Sequence, residues 1–203
     1  MKGYYLITDQ ALSAAGIVHD ASQAIAERVS LIQYRNKSAS TRVLFSEALT
    51  LKRLCAGTST RLIINDRVDI ALAVDADGVH IGQDDMPYAE TRRLVGAGKL
   101  IGVTVHTLEE ARQAEAQGAD YLGVSPIYPT STKTDAGKAC GLETLRAIRR
   151  ACRIPIVAIG GITLSNLADV LAAGADMVCA ISAVVTKPDV ASEIRLWQKE
   201  FTV

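Results

Sequence analysis

A single (β/α)8 barrel is the fold this sequence predicts, and three observations carry the prediction. Eight short apolar runs recur along the 203 residues. Each is followed by a polar turn and then, in most units, by a stretch with Leu, Val, Ile or Ala at helical spacing. A small repeat, Ala-Asp at 76–77, 119–120 and 175–176, leads each time directly into an apolar run. Eight strand–helix units are the count of a closed parallel barrel. The chain is shorter than the ~250 residues typical of that fold, so helices and loops must be minimal. One domain over 1–203 is expected, with no linker.

In order, the expected strands are 4–8, 30–35, 61–65, 78–82, 100–104, 121–125, 155–159 and 177–181. Amphipathic stretches at 41–56, 107–117, 142–151 and 164–173 supply helices between them. Gly118 and Gly174 precede the second and third Ala-Asp pairs. Glycine closing a helix, then Ala-Asp, then a strand is a sound helix-to-strand junction. Successive pairs lie two units apart, which gives about 21 to 28 residues per unit, as a parallel βαβ unit needs. The polar stretch 125–140 lengthens one interval and reads as an extended loop. A doubly wound open sheet is the alternative. It would announce itself with a Gly-rich first turn, whereas the first run ends Thr8-Asp9-Gln10.

Hydrophobic residues make up 49% and charged residues 22%. That is too apolar for a disordered chain and too interrupted by charge for a membrane protein. No run of about 18 apolar residues occurs, so no membrane span is expected. Asp9 arrives before a signal-peptide hydrophobic region could form. Lys+Arg and Asp+Glu are both 22, which argues against a general nucleic-acid binder. Aromatics at 4% argue against a base-stacking platform. An anionic ligand must therefore be held by a local cluster. Cys55, Cys140, Cys152 and Cys179 form no Cys-x-x-Cys pair and are expected to be reduced thiols in a cytoplasmic protein.

In a barrel the chemistry sits at the C-terminal strand ends. After the second strand, Gln33, Arg35 and Lys37 alternate onto one face and make an anion site, or merely a solvated strand end. Asp66 and Asp85 end the third and fourth units, where neighbouring loops bring them together. Paired carboxylates beside cations suit Mg²⁺, a hard ion that keeps several waters. Helix capping before Pro87 is the bland alternative for Asp84 and Asp85, and Asp84 is assigned it. His80, inside an apolar run, reads as a hydrogen-bonded core residue. His106 is either a loop acid/base or a helix-start residue. The 125–140 loop, with its hydroxyls and lysines, favours a phosphate cover. Gly160-Gly161 and Ser182 follow the seventh and eighth strands, where backbone N–H groups can approach a monophosphate. A second anion site comprises Arg35, Lys37, Lys133 and a metal on Asp66 and Asp85. Its net charge balances a diphosphate leaving group.

Several segments together resemble the thiamine phosphate synthase family. They are Gln33-Tyr34-Arg35-Asn36-Lys37, Ile64-Asn65-Asp66-Arg67, His80-Ile81-Gly82-Gln83-Asp84-Asp85, 126–133, Ala158-Ile159-Gly160-Gly161-Ile162 and Ile181-Ser182. The resemblance runs from the second strand to the eighth. It implies a (β/α)8 barrel that joins hydroxymethylpyrimidine diphosphate to a thiazole phosphate, giving thiamine phosphate and pyrophosphate, with Mg²⁺ as cofactor. On that resemblance Gln33 and Asn65 hold the pyrimidine end, and Arg35, Lys37 and Lys133 grip the diphosphate. Asp66 and Asp85 bind the metal. Thr130 and Thr132 meet the thiazole phosphate, with Gly161, Ile181 and Ser182 completing its pocket. Tyr34, Asn36 and Ser131 fall within the matching segments and join the substrate-binding set. Thr104, where the family commonly has Ser, lines the pyrimidine pocket and stands with Arg35, Lys37 and Lys133 as catalytic.

Two departures from the family pattern stand out. Thr104 keeps the hydroxyl but adds a methyl, and Glu27-Arg28-Val29-Ser30 replaces a Gly-containing turn on the bottom face. The rival functions are a thiazole tautomerase using a histidine near His106, a non-catalytic sensor of thiamine precursors, and another phosphate-handling barrel. None of these needs the Arg35, Lys37, Asp66 and Asp85 set for turnover. The expected partners are small molecules, with no nucleic acid or membrane, and a homo-oligomer stays open.

Overall fold

The computed structural model describes residues 1–130, 132 and 137–201. Nine strand segments form one sheet: β1 (Gly3–Tyr4), β2 (Leu6–Ile7), β3 (Leu31–Tyr34), β4 (Arg61–Asn65), β5 (Gly78–Ile81), β6 (Leu100–Val105), β7 (Tyr121–Val124), β8 (Ile156–Ile159) and β9 (Met177–Cys179). Every pairing is parallel, in the order β1-β9-β8-β7-β6-β5-β4-β3-β2. Only Tyr5 separates β1 from β2, and its N–H donates to the Val178 carbonyl at 2.8 Å. One run therefore pairs with β9 through Gly3↔Met177 and with β3 through Leu6↔Ile32. The sheet returns on itself as a (β/α)8 barrel, and the open-sheet alternative falls.

The helices are α1 (Ile17–Ala26), α2 (Thr41–Cys55), α3 (Val68–Ala73), α4 (Tyr88–Val95), α5 (Leu108–Gln117), α6 (Gly141–Ala151), α7 (Leu167–Ala172), α8 (Ile181–Val185) and α9 (Val190–Lys199). Three have six residues or fewer, which is how the barrel fits a short chain. Helix α2 shows the packing logic. Leu44, Ala48, Leu51 and Cys55 form its buried stripe, and the Ser40 hydroxyl caps its start by accepting from Val43 N–H. Helix α5 begins with a capping box in which Thr107 and Glu110 satisfy each other's backbone N–H groups. Among the described residues no helix is long and apolar enough to cross a membrane.

The Ala-Asp repeat has a clear physical basis. Each aspartate clamps the strand before its own: Leu62 N–H donates to Asp77, Ile101 N–H to Asp120 and Ile156 N–H to Asp176, each at 2.8 Å. The three aspartates return the bond through their own N–H groups, each at 2.9 Å to the same residue's carbonyl. Each also holds a cation from a preceding helix, namely Lys52, Arg92 or Arg149. These clamps staple the bottom of the barrel and leave the top available for chemistry.

The last helix seals the seam. Trp197 of α9 is fully buried with its ring 5.9 Å from that of Tyr4. Gln198 accepts from Tyr4 N–H at 3.4 Å and donates to the Glu27 carbonyl at 2.8 Å. Arg195 pairs with Glu27 at 2.7 Å.

Candidate active site

The strand ends converge on two hollows at the mouth. The larger has a volume of about 480 Å³ and is walled by Thr130, Thr132, Gly161, Ile181 and Ser182. Gly160 (φ 98°) and Gly161 (φ 65°) adopt backbone conformations that side chains resist. A Cβ on Gly161 would also stand 2.7 Å from the Pro129 carbonyl. Ser182 lies in the first turn of α8, where backbone N–H groups have no helical acceptor. Its hydroxyl accepts from Thr132 at 3.1 Å, which ties the loop to the cradle. Small residues, hydroxyls and open N–H groups suit a phosphate.

The second hollow, about 190 Å³, is lined by Arg35, Lys37, Asn65, Asp66, Asp85 and Thr104, among others. Lys37 Nζ lies 3.4 Å from Asp66 Oδ2, and Arg35 lies 4.0 Å from Asp9. Asp85 Oδ2 accepts from Gly82 N–H at 2.7 Å, which folds the loop after β5 back to the mouth. Burial raises the Asp66 pKa, the neighbouring Asp85 carboxylate raises it further, and Lys37 opposes both. Two acids crowded in this way are relieved by a cation between them. Among the described residues no three His, Cys, Asp or Glu side chains cluster as a metal cage. A two-carboxylate site fits Mg²⁺, which binds through one or two acids and keeps its waters.

Ser125, buried at the end of β7, lines both hollows and joins them. Sequence reasoning passed over it, although a polar residue closing an apolar strand was the available signal. Lys133 and Ser131 lie outside the described residues. Tyr34 and Asn36 line a neighbouring hollow that shares Lys37, Asn65 and Asp66 with the second one. Both bond to Glu47 of α2, at 2.5 Å and 3.3 Å. Tyr34 follows Gln33 in a strand, so it must face the opposite way.

Three further readings meet the structure differently. Asp84 does not cap α4. The cap position is Pro87, no side chain bonds there, and Asp84 is exposed at the mouth. The glycine-to-Pro87 turn is instead held by Asp85. His80 is a buried core residue, as expected, but its Nε2 reaches Thr104 Oγ1 at 2.7 Å. His106 is the residue before the α5 cap, with its ring 3.4 Å from Glu110.

A parallel barrel with a glycine- and hydroxyl-lined hollow and an acid–cation pocket at one mouth has the build of a (β/α)8-barrel enzyme. The model of the thiamine monophosphate synthase family matches residues 4–184. A thiamine-phosphate synthase of Chloroflexus aurantiacus is 55% identical over 193 residues, covering 94% of this chain and 88% of that protein. One of Methanospirillum hungatei is 50% identical over 195 residues, covering 95% and 94%. The solved thiamine phosphate pyrophosphorylase of Pyrococcus furiosus superposes with a TM-score of 0.89 at 40% identity, over 98% of this chain and 95% of that one. The chain belongs to the thiamine monophosphate synthase family and is a transferase.

Proposed function

We propose that this chain condenses hydroxymethylpyrimidine diphosphate with thiazole phosphate, releasing pyrophosphate and forming thiamine phosphate. The observation that carries the reading is the meeting of a phosphate cradle and an acid–cation pocket at Ser125. Each substrate's anionic group has its own receptor, and the reacting atoms fall between them. Arg35, Lys37 and Lys133 take the diphosphate, and Asn65 and Gln33 take the pyrimidine. Thr130, Thr132, Gly161, Ile181 and Ser182 take the thiazole phosphate. Tyr34 and Asn36 act from behind by fixing the β3 end to Glu47.

The bond to the leaving oxygen breaks and its electron pair departs with the pyrophosphate. The pyrimidine amino group offsets the positive charge left on carbon, and the thiazole nitrogen lone pair then forms the new C–N bond. No protein nucleophile is required. The fixed cations stabilise the departing charge, and the enclosed mouth keeps water from the carbon. Asp66 and Asp85 would hold Mg²⁺, which supplies further charge neutralisation at the diphosphate. Four free cysteines, three of them buried and Cys140 partly exposed, are compatible with a reducing, cytoplasmic setting.

The test is one assay: both substrates with and without Mg²⁺, read as thiamine phosphate and pyrophosphate. Asp66→Ala and Lys133→Ala should each lower kcat severely with the fold intact. Near-normal turnover in either variant rejects the diphosphate assignment. Isomerised thiazole without pyrophosphate would favour the tautomerase, and binding without turnover the sensor.

A further inference from the structure

A continuous line of hydrogen bonds crosses the barrel interior beneath the mouth. Gln33 Nε2 donates to Tyr5 Oη at 2.9 Å, and Tyr5 Oη lies 3.0 Å from Tyr121 Oη. Tyr121 Oη lies 3.0 Å from His80 Nδ1, and His80 Nε2 lies 2.7 Å from Thr104 Oγ1. Gln33, Tyr5, Tyr121 and His80 are all buried. The barrel wall is thinned to admit two of them. A Cβ on Gly102 would lie 2.0 Å from the Tyr121 ring, and one on Gly123 would lie 2.9 Å from His80 Cε1.

We propose that Tyr5, Tyr121 and His80 are positioning residues that fix which way hydrogens point at the two ends of this line, making Thr104 a donor into the diphosphate pocket and Gln33 an acceptor for the pyrimidine. The number of hydrogens available along the line sets its direction. The Gln33 amide nitrogen can only donate, so Tyr5 Oη accepts from it. Each tyrosine has a single hydrogen to pass on, and burial pushes the pKa of both well up, which keeps that hydrogen in place. Tyr5 therefore donates to Tyr121, and Tyr121 donates to His80 Nδ1. With Nδ1 accepting, the ring hydrogen sits on Nε2 and is given to Thr104. The single hydrogen of Thr104 is then left for the hollow that holds Arg35 and Lys37. At the other end Gln33 Oε1 is buried with no hydrogen-bond partner among the described residues. Such an atom is costly unless a ligand supplies a donor. An acceptor at one end and a donor at the other match an aminopyrimidine and a departing phosphate oxygen. A flipped Gln33 would reverse every bond, move the ring hydrogen to Nδ1 and use up the Thr104 hydrogen on His80.

The ligand names rest on the synthase reading; the direction of the line does not. The tautomer of His80 therefore tests it without substrate. Long-range ¹H–¹⁵N spectra of the labelled full chain, assigned with His80→Asn, should show the Nε2–H form. The Nδ1–H form overturns the proposal, whether or not the chain makes thiamine phosphate. Kinetics supply the second arm. Tyr121→Phe should lower kcat about tenfold, the size of one net hydrogen bond. It should leave KM for the thiazole phosphate unchanged and cost nothing further in a Thr104→Val background. An equal loss in both backgrounds makes Tyr121 merely structural and overturns the proposal.

Discussion

Asp176 and Ile156 are joined twice. The Ile156 N–H donates to the Asp176 carboxylate at 2.8 Å, and the Asp176 N–H donates to the Ile156 carbonyl at 2.9 Å. The same carboxylate holds Arg149 at 2.9 Å. Asp176→Ala leaves a strand N–H and a guanidinium without their acceptor. The expected cost is about 1–3 kcal/mol of stability, read as a lower urea midpoint at unchanged m. The clamp is on the bottom face, so kcat should not change.

Arg28 occupies a left-handed conformation, φ 58°, at the helix-to-strand junction before β3. Gly118 (φ 94°) and Gly174 (φ 105°) fill the matching position two and three repeats on. All three junctions close alike, with Val29, Ala119 and Ala175 N–H groups donating to the carbonyl five residues back. A side chain in that region costs about 1–2 kcal/mol, and glycine returns part of the gain as backbone entropy. Arg28→Gly should raise Tm by roughly 2–4 °C. A lower Tm would mean that the Arg28 side chain contributes a contact that outweighs the strain.

Asp20, in the first turn of α1, is fully buried, and burial raises its carboxyl pKa above the ordinary range. The folded state therefore binds its proton more tightly than the unfolded chain does. The stability it contributes is present at acid pH and is lost as pH rises past the ordinary carboxylate range toward the folded pKa. Asp20→Asn should remove that loss. The Tm difference between variant and wild type should grow in the variant's favour as pH goes from acid to neutral, and a constant difference would contradict it.

Gly161→Ala would force a Cβ to within 2.7 Å of the Pro129 carbonyl and require a side chain at φ 65°. The cradle must open to accept it. Under the proposed assignment, KM for the thiazole phosphate should rise at least about tenfold, while KM for the diphosphate substrate stays near its original value. A matched rise in both would show that the two hollows do not divide the substrates.

Much of the fold could be read along the chain because parallel barrels repeat. The apolar runs fell on the observed strands, and the Ala-Asp pairs marked junctions whose aspartates turned out to be clamps. Asp66, Asp85, Arg35 and Lys37 could be gathered because each lies in the loop just past the C-terminal end of a strand. Tyr34 was grouped with them by a matching segment, which carries no facing information; strand alternation turns its side chain toward Glu47 of α2 instead. Asp84 was given a cap that Pro87 occupies, since a loop's local turn depends on which acid bends back to Gly82. The Tyr5–Tyr121–His80 line was out of reach. It depends on which strands lie across the barrel from each other and on gaps at Gly102 and Gly123, neither of which any local pattern records.

The grip of Trp197 and Gln198 on Tyr4 bears on how the molecule comes into being. The first stave cannot pair with β9 until residues 177–179 exist, nor be locked until α9 does, so a chain emerging from the ribosome spends most of its synthesis with two unpaired sheet borders. Those borders are the natural place for a half-made copy to stick to its neighbours, and a chaperone that shields them would act late, just before α9 arrives.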